Sequence, residues 1–413
     1  MAQASILNFH DASADGNMCA MTSPVDSPPL PIRALVALCI LNHVALSGAR
    51  LALLEQALHL GVRSLAIGLM FAPFALATTL GALPLGRWVD RIGSRRPALA
   101  GMALTTLALV AATLWPSAGV LTASAGLIGL GYTGSLIALQ AEIARGRDDA
   151  GRRAGFAAFA TGTAASSGFG PFLAGQLMSH AGAAMAFGVL AAISLSALSG
   201  AGLAATRLKS VHRRNAAARP AAPASTSLRG LAGLRRLMLA DLGMALAWNA
   251  NAFVVPLVVH EHGWRADVAG NLLGVFGAAV LLVRALPHAW RAWGSEWRTV
   301  TRALLASGTV LALLPLLPSI GAHALLQGVL GLGLGSSLPS MMALVEARTP
   351  QGRRGEVLGL RSAVLGFGAV TTPTALGALV ALAGLVPALA VIGGALVALG
   401  AAIAPRGAAQ AAS

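Results

Sequence analysis

The sequence predicts an all-α integral membrane protein: twelve transmembrane helices in two pseudo-symmetric six-helix bundles. Three observations carry that prediction. The 413 residues are 56% hydrophobic and only 10% charged, where a soluble domain carries about 25% charged residues. Apolar runs long enough to cross a bilayer recur from end to end. Most of the 29 Lys and Arg residues fall in alternate gaps between those runs.

A helix needs about 20 mostly apolar residues to span roughly 30 Å of hydrocarbon. Twelve stretches qualify: Ala34–Leu58, Leu65–Leu85, Ala98–Trp115, Gly119–Ala141, Phe156–Met178, Ala181–Ala204, Leu237–Val259, Val268–Pro287, Arg302–Ile320, Ala322–Val345, Val357–Leu382 and Leu385–Ala404. Gly and Ala pervade them, as expected where close backbone packing drives helix association in lipid. Pro73, Pro171, Pro256, Pro339 and Pro373 lie inside apolar runs, tolerable because neighbouring helices satisfy the freed carbonyls.

Orientation follows from arginine. Connections 2–3, 4–5, 6–7, 8–9 and 10–11 are basic, whereas those on the other side hold only Arg63 and Arg265. Positive charge marks the cytoplasmic side, so both termini are expected there, in a multi-pass protein of the cell's plasma (inner) membrane. Residues 1–32 lack the basic start and apolar stretch of a signal peptide and read as a cytoplasmic tail. Cys19 and Cys39 are too few for a disulfide framework. The formal charge of +15 is not a nucleic-acid footprint, which needs a basic stripe on one solvated face.

The longest connection, "TRLKSVHRRNAAARPAAPASTSLRGLAGLRR", is basic and rich in Ala, Pro and Ser, the composition of an exposed linker. It divides the chain into a bundle at 33–204, the linker at 205–235 and a bundle at 236–404, followed by a tail at 405–413. A shift of 202 residues gives a weak repeat: Pro171, Gly175 and Gly182 fall on Pro373, Gly377 and Gly384, and "GLIGLG" at 126–131 on "GVLGLG" at 328–333. Two parallel repeats with the cargo site at their interface are a known transporter plan.

"GRWVDRIGSRRPAL", residues 86–99, is a charged knot between two apolar spans. Gly86, Asp90, Arg91, Gly93, Arg95 and Arg96 stand in the spacing of the motif between spans two and three of the major facilitator superfamily, which the chain resembles over about residues 33–404. Ser94 and Trp88 depart from the usual pattern. The resemblance implies that Asp90 approaches the cytoplasmic end of a second-half helix, the eleventh, whose N-terminus favours a carboxylate. Glu142, ending span four, is a candidate partner for Arg91 or a nearby arginine. Such contacts would latch the halves in one state and release in the other; positive-inside topology alone is the plainer reading of Arg95 and Arg96. Glycines at 86 and 93 allow close approach and tight turning. "RALPHAWRAWGSEWR" in the second half has no acid matching Asp90, so the latch is expected on one side only.

The family's export motifs are incomplete. Ala125 stands where many proton-coupled exporters have an arginine. The fifth span's "GFGPFLAG" keeps Gly170, Pro171 and Gly175 as a helix-bending element but has Ser166 and Ala174 at two usual glycine positions.

The resemblance places the cargo cavity among spans one, four, seven and ten. Candidates there are Asn42 and His43, Arg50 further out, Tyr132 and Gln140, Trp248, Asn249 and Asn251, and Ser336 with Ser340. An arginine in a span must face a partner or water, so Arg50 is either an anion contact or one half of an ion pair, with Glu55 poorly spaced to complete it. His43 is either a proton acceptor or a hydrogen-bonded structural histidine. Asn249 and Asn251, two apart, cannot share a face; one is expected to meet cargo and the other a neighbouring helix.

Metal-ligand spacing, a nucleophile elbow and a phosphate loop are all missing from the sequence, so an enzyme is not expected, nor a cofactor or metal beyond a proton as possible coupling ion. The expected partners are a small-molecule solute and the lipid bilayer, with no nucleic acid, in a monomer. The function predicted is secondary transport by alternating access, proton-coupled export of a small organic molecule. The alternatives are uptake of an organic anion anchored by Arg50, and a non-transporting sensor or assembly factor of the same fold.

Overall fold

Hydropathy and punctuation by Gly, Pro and capping residues decide where helices run in this chain. The computed structural model describes residues 30–145, 148–204, 233–286, 295–349 and 354–405. Most of the predicted tails and of the linker, and the stretches 146–147, 287–294 and 350–353, lie outside the described residues. The described residues form helices α1 (Ile32–His59), α2 (Ser64–Ile92), α3 (Arg95–Leu114), α4 (Ala118–Ala144), α5 (Asp149–Leu203), α6 (Leu234–Glu261), α7 (Ala266–Ala285), α8 (Glu296–Leu313), α9 (Ile320–Arg348), α10 (Arg354–Ala383) and α11 (Leu385–Ala402), with no strand among them. Side-chain caps start three of these helices: Ser117 accepts from Val120 N–H, Asp148 from Gly151 N–H and Ser319 from Ala322 N–H, each satisfying an orphan first-turn donor.

Among the described residues eleven helices are long and apolar enough to cross a membrane, where the sequence predicts twelve. The difference lies in α5, which holds the fifth and sixth predicted spans in 55 residues. At 1.5 Å per residue a straight helix of that length would run about 82 Å, far beyond roughly 30 Å of hydrocarbon. It does not run straight: Gly182, at φ 81° and ψ 173°, breaks it into arms at 149–181 and 183–203.

The same backbone break recurs at Gly384, between α10 and α11, at φ 85° and ψ 172°. Gly182 and Gly384 are 202 residues apart. So are Gly61 and Gly263, the positive-φ glycines (70° and 66°) of the α1–α2 and α6–α7 turns. Only glycine takes these conformations freely, so the weak repeat is written into the backbone at matched sites.

Packing obeys the same shift. Within the first half α1 packs on α4 and α5, α2 on α4, and α3 on α4 and α5; within the second, α6 packs on α10, α7 on α9, and α8 on α9 and α11. Two extensive contacts join the halves, α2 with α10 and α5 with α7, beside a smaller one between α1 and α6. In the first, a Cβ on Gly68 would meet Pro373 O at 2.5 Å, and in the second a Cβ on Gly270 would meet Pro171 O at 2.8 Å. Residues 68 and 171 shift onto 270 and 373; the two contacts are one contact used twice. Backbones meet so closely only where small residues line both helices.

Large apolar side chains also cover the outside of the bundle, Leu203, Leu382, Leu325 and Leu80 all being more than two-thirds exposed. In water that surface would be an aggregation liability; against lipid it is the solvated one.

Candidate functional site

The end of the bundle that carries the α2–α3 and α4–α5 turns is rich in arginine and is called the basic end below; the α1–α2 and α6–α7 turns lie at the opposite end. Of three cavities, the first and third lie between the halves and the second within the second half. The first, about 180 Å³, is lined by α1, α5, α6 and α7, and the second, about 230 Å³, by α6, α7, α9 and α10. The third and largest, about 810 Å³, lies toward the basic end between α5, α7, α8 and α9. Arg284 lines all three, and Trp248 lines the first two.

His43 and Arg50 are seven residues apart, two turns of α1, and therefore share the face that lines the first cavity. The His43 ring lies 5.7 Å from Tyr132, and its Nδ1 is buried without a hydrogen bond. Arg50 Nη2 donates to Asn249 Oδ1 at 3.3 Å across the halves, and its guanidinium lies 5.4 Å from the Phe74 ring centre. No described acid pairs with it. Asn42, one residue from His43, is rotated off that face: it is buried and donates to Ser135 Oγ at 2.7 Å, tying α1 to α4.

Trp248 meets Phe276 edge-on at 5.0 Å on the cavity wall. Of the two asparagines, Asn251 lines the cavity and exchanges two hydrogen bonds with Gln327 of α9, at 3.0 and 2.8 Å; Asn249 holds Arg50. Ser336 and Ser340 line the third cavity but spend their hydroxyls on carbonyls of α9 itself. Gln140 is half-buried and lines none of the three. Gly170 packs against Val44 and Gly48 of α1, Pro171 lines the first cavity, and Gly175 faces Gly270 at the α5–α7 contact.

The charged knot is spread on the surface of the basic end. Asp90, Arg91, Arg95 and Arg96 are exposed, and no described residue pairs with Asp90. Gly93, at φ 84°, ends α2 and turns the chain. Gly86 differs from expectation: a Cβ there would meet nothing within 4 Å, so no close approach requires a glycine. Glu142 is buried, accepts from Ser94 Oγ, and pairs with Arg145 one turn along at 2.9 Å.

Three features escaped the sequence reading. Arg284 donates from Nη1 to Ala160 O at 2.9 Å, reaching from α7 to α5. Asp241 of α6 and Arg361 of α10 form a forked ion pair at 2.8 and 3.1 Å beside the second cavity; a charge inside each of two apolar spans was the available signal. At the opposite end, Arg265 and Asp267 of the second half both bond Ser179 of α5, at 3.0 and 3.2 Å, and Gln176 donates to Asn271 at 2.9 Å. That polar cluster ties the halves together beside the contact of Gly175 with Gly270. Among the described residues no group of three or more His, Cys, Asp or Glu could hold a metal ion.

A family model described as Major Facilitator Superfamily matches residues 35–319 and 237–407. No curated protein matches the chain in sequence. Solved structures with the same fold include a POT family transporter in complex with 5-aminolevulinic acid, 14% identical with a TM-score of 0.72, covering 91% of this chain and 95% of the other. A peptide transporter POT in complex with sulfate is 15% identical, with a TM-score of 0.73 and coverage of 91% and 94%. The POT family transporter PepTSo, crystallised in meso, is 13% identical, with a TM-score of 0.71 and coverage of 91% and 97%.

Proposed function

The chain belongs to the major facilitator superfamily, and we propose that it is a secondary transporter of a small organic solute working by alternating access. On this reading the polypeptide crosses the membrane twelve times, α5 supplying two crossings on either side of Gly182. Residues 33–204 and 236–404 form two six-helix bundles, joined by a linker at 205–235 that lies, with both termini, on the cytoplasmic side of the plasma membrane. The matched breaks at Gly61 and Gly263 and at Gly182 and Gly384 support the two bundles; the arginine asymmetry supports the orientation.

One observation carries the proposal: two cavities between repeat-related halves, the larger toward the basic end, with the halves in backbone contact at Gly175–Gly270 and Gly68–Gly377 toward the other end. A transporter caught with its cytoplasmic side open has that shape, and an Asp90 with no partner among the described residues fits it, because the inner latch engages only when that side closes. The expected partner, the start of the eleventh span, lies largely outside those residues. Rocking of the halves about the α2–α10 and α5–α7 contacts would open the opposite end by separating Gly68 from Gly377 and Gly270 from Gly175. Exchange for protons, with export, is proposed on the Gly170–Gly175 element of α5. Uptake of an organic anion is the second reading, favoured by Arg50 on the wall of the central cavity.

Purified protein in proteoliposomes, preloaded with a panel of metabolites and small peptides, should show saturable counterflow of at least one of them. Flux of that solute should respond to an imposed pH gradient. Indifference to the gradient removes proton coupling, and absence of counterflow across the panel, with Asp90→Asn no different from wild type in any assay, removes transport.

A further inference from the structure

We infer that the central cavity is a binding site for a small organic carboxylate, its charge held by Arg50 at the closed end and by Arg284 at the mouth. Its passage through the membrane rests on the transporter reading, but the binding does not.

The cavity carries two guanidinium groups and no Asp or Glu on its wall. Within a membrane protein each such arginine costs about 2.5–3.5 kcal/mol on insertion scales unless something compensates it. This chain supplies a counterion elsewhere: Arg361 has both forks on Asp241, the bidentate geometry that suits guanidinium and carboxylate. Among the described residues, Arg50 hydrogen-bonds the neutral Asn249 amide oxygen alone, at a long 3.3 Å, and Arg284 one backbone carbonyl. Most of their five N–H donors each are left to the cavity. Glu55, the one acid on α1, is buried and does not line the cavity. The missing acid is therefore expected to arrive with the cargo.

Size and wall chemistry narrow the class. At about 180 Å³ the cavity falls below the ~300–1,000 Å³ of drug-sized sites, which selects a compact molecule. Trp248, Phe276, Leu46, Leu51 and Leu273 give it an apolar wall, so the carboxylate rides on a hydrocarbon or aromatic body. Arg284 also lines both other cavities. An anion moving in from the basic end meets it first, and taking its guanidinium would draw it off Ala160 O.

The test is equilibrium binding by calorimetry to the purified full chain, using matched acid and amide probes: benzoate and benzamide, butyrate and butyramide, succinate and succinamide. At least one acid should bind more tightly than its amide. Arg50→Gln should weaken that acid about ten- to a hundredfold, the worth of a charge-assisted hydrogen bond, and Arg284→Gln should weaken it too. Arg50→Lys should lie between, and the exposed control Arg63→Gln should match wild type, all variants remaining monodisperse. A panel in which no acid outbinds its amide overturns the assignment, as does acid binding indifferent to Arg50→Gln. Carboxylate binding without flux in proteoliposomes leaves this site standing and removes only the transporter reading. Counterflow of a neutral or cationic solute, with no preference for acids, does the reverse.

Discussion

Gly270→Val tests whether the α5–α7 contact belongs to one state of the protein. A Cβ at Gly270 would lie 2.8 Å from Pro171 O and 2.9 Å from Gly175 Cα, both backbone atoms that cannot swing aside. Valine adds two methyl groups to that clash. Overpacking of this kind costs about 1–3 kcal/mol, while helix propensity works a few tenths the other way. If the contact exists only with the outer end closed, the cost falls on that state alone. The open-outside population then rises by a factor of about 5–150 relative to it, so a state at 1% would reach between about 5% and 60%. Spin labels at Ala181→Cys in the first half and Glu261→Cys in the second, both exposed near the outer turns, report the opening by double electron–electron resonance. Cys19 and Cys39 are first replaced by Ser. The distance distribution should gain a longer component in Gly270→Val and none in Gly119→Val, where a Cβ meets open space. An unchanged distribution together with a lowered melting temperature would show that the contact is common to all states, and the rocking model would fail.

Three further outcomes are expected. Asp90→Asn should keep expression and monodispersity but lose at least about nine-tenths of solute flux; wild-type flux would remove Asp90 from the gate. Asp241→Asn strands Arg361 and should destabilise the protein by about 3–5 kcal/mol, with most of the loss recovered in Asp241→Leu/Arg361→Met, because a buried pair is worth little against well-packed apolar side chains; thermal unfolding in detergent checks both. Asp267→Ala removes one partner of the half-buried Ser179 hydroxyl and should widen the Ala181–Glu261 distribution in the same sense as Gly270→Val. The effect should be smaller, since partly exposed polar contacts contribute about 1 kcal/mol or less.

The helices were legible because hydropathy is a property of windows, and twenty apolar residues leave few alternatives. The fifth and sixth predicted spans fall within the single helix α5, whose backbone break lies at Gly182 rather than at the predicted junction of residues 179–180. The repeat was visible through Pro171 and Gly175 against Pro373 and Gly377. Its sharper expression, the matched positive φ of Gly61 with Gly263 and of Gly182 with Gly384, is a backbone property that one more glycine in a glycine-rich chain does not announce.

The site was legible where helical geometry alone decides, and illegible where one signal has two causes. Two turns on α1 put His43 and Arg50 on one wall, and one residue's rotation took Asn42 off it. Arg284 carried the same mark as every topological arginine: it stands near the basic end of an apolar span, where the positive-inside rule already accounts for it. Only the direction of its side chain, inward to Ala160 O and the cavities rather than outward to the membrane surface, separates a site arginine from a topological one. That direction is set by packing between halves some 120 residues apart in sequence. An arginine near the mouth of a span is thus better evidence for cargo when its hydrogen bond goes to a carbonyl than when it is forked onto an acid, and Arg284 against Arg361 shows the two cases side by side.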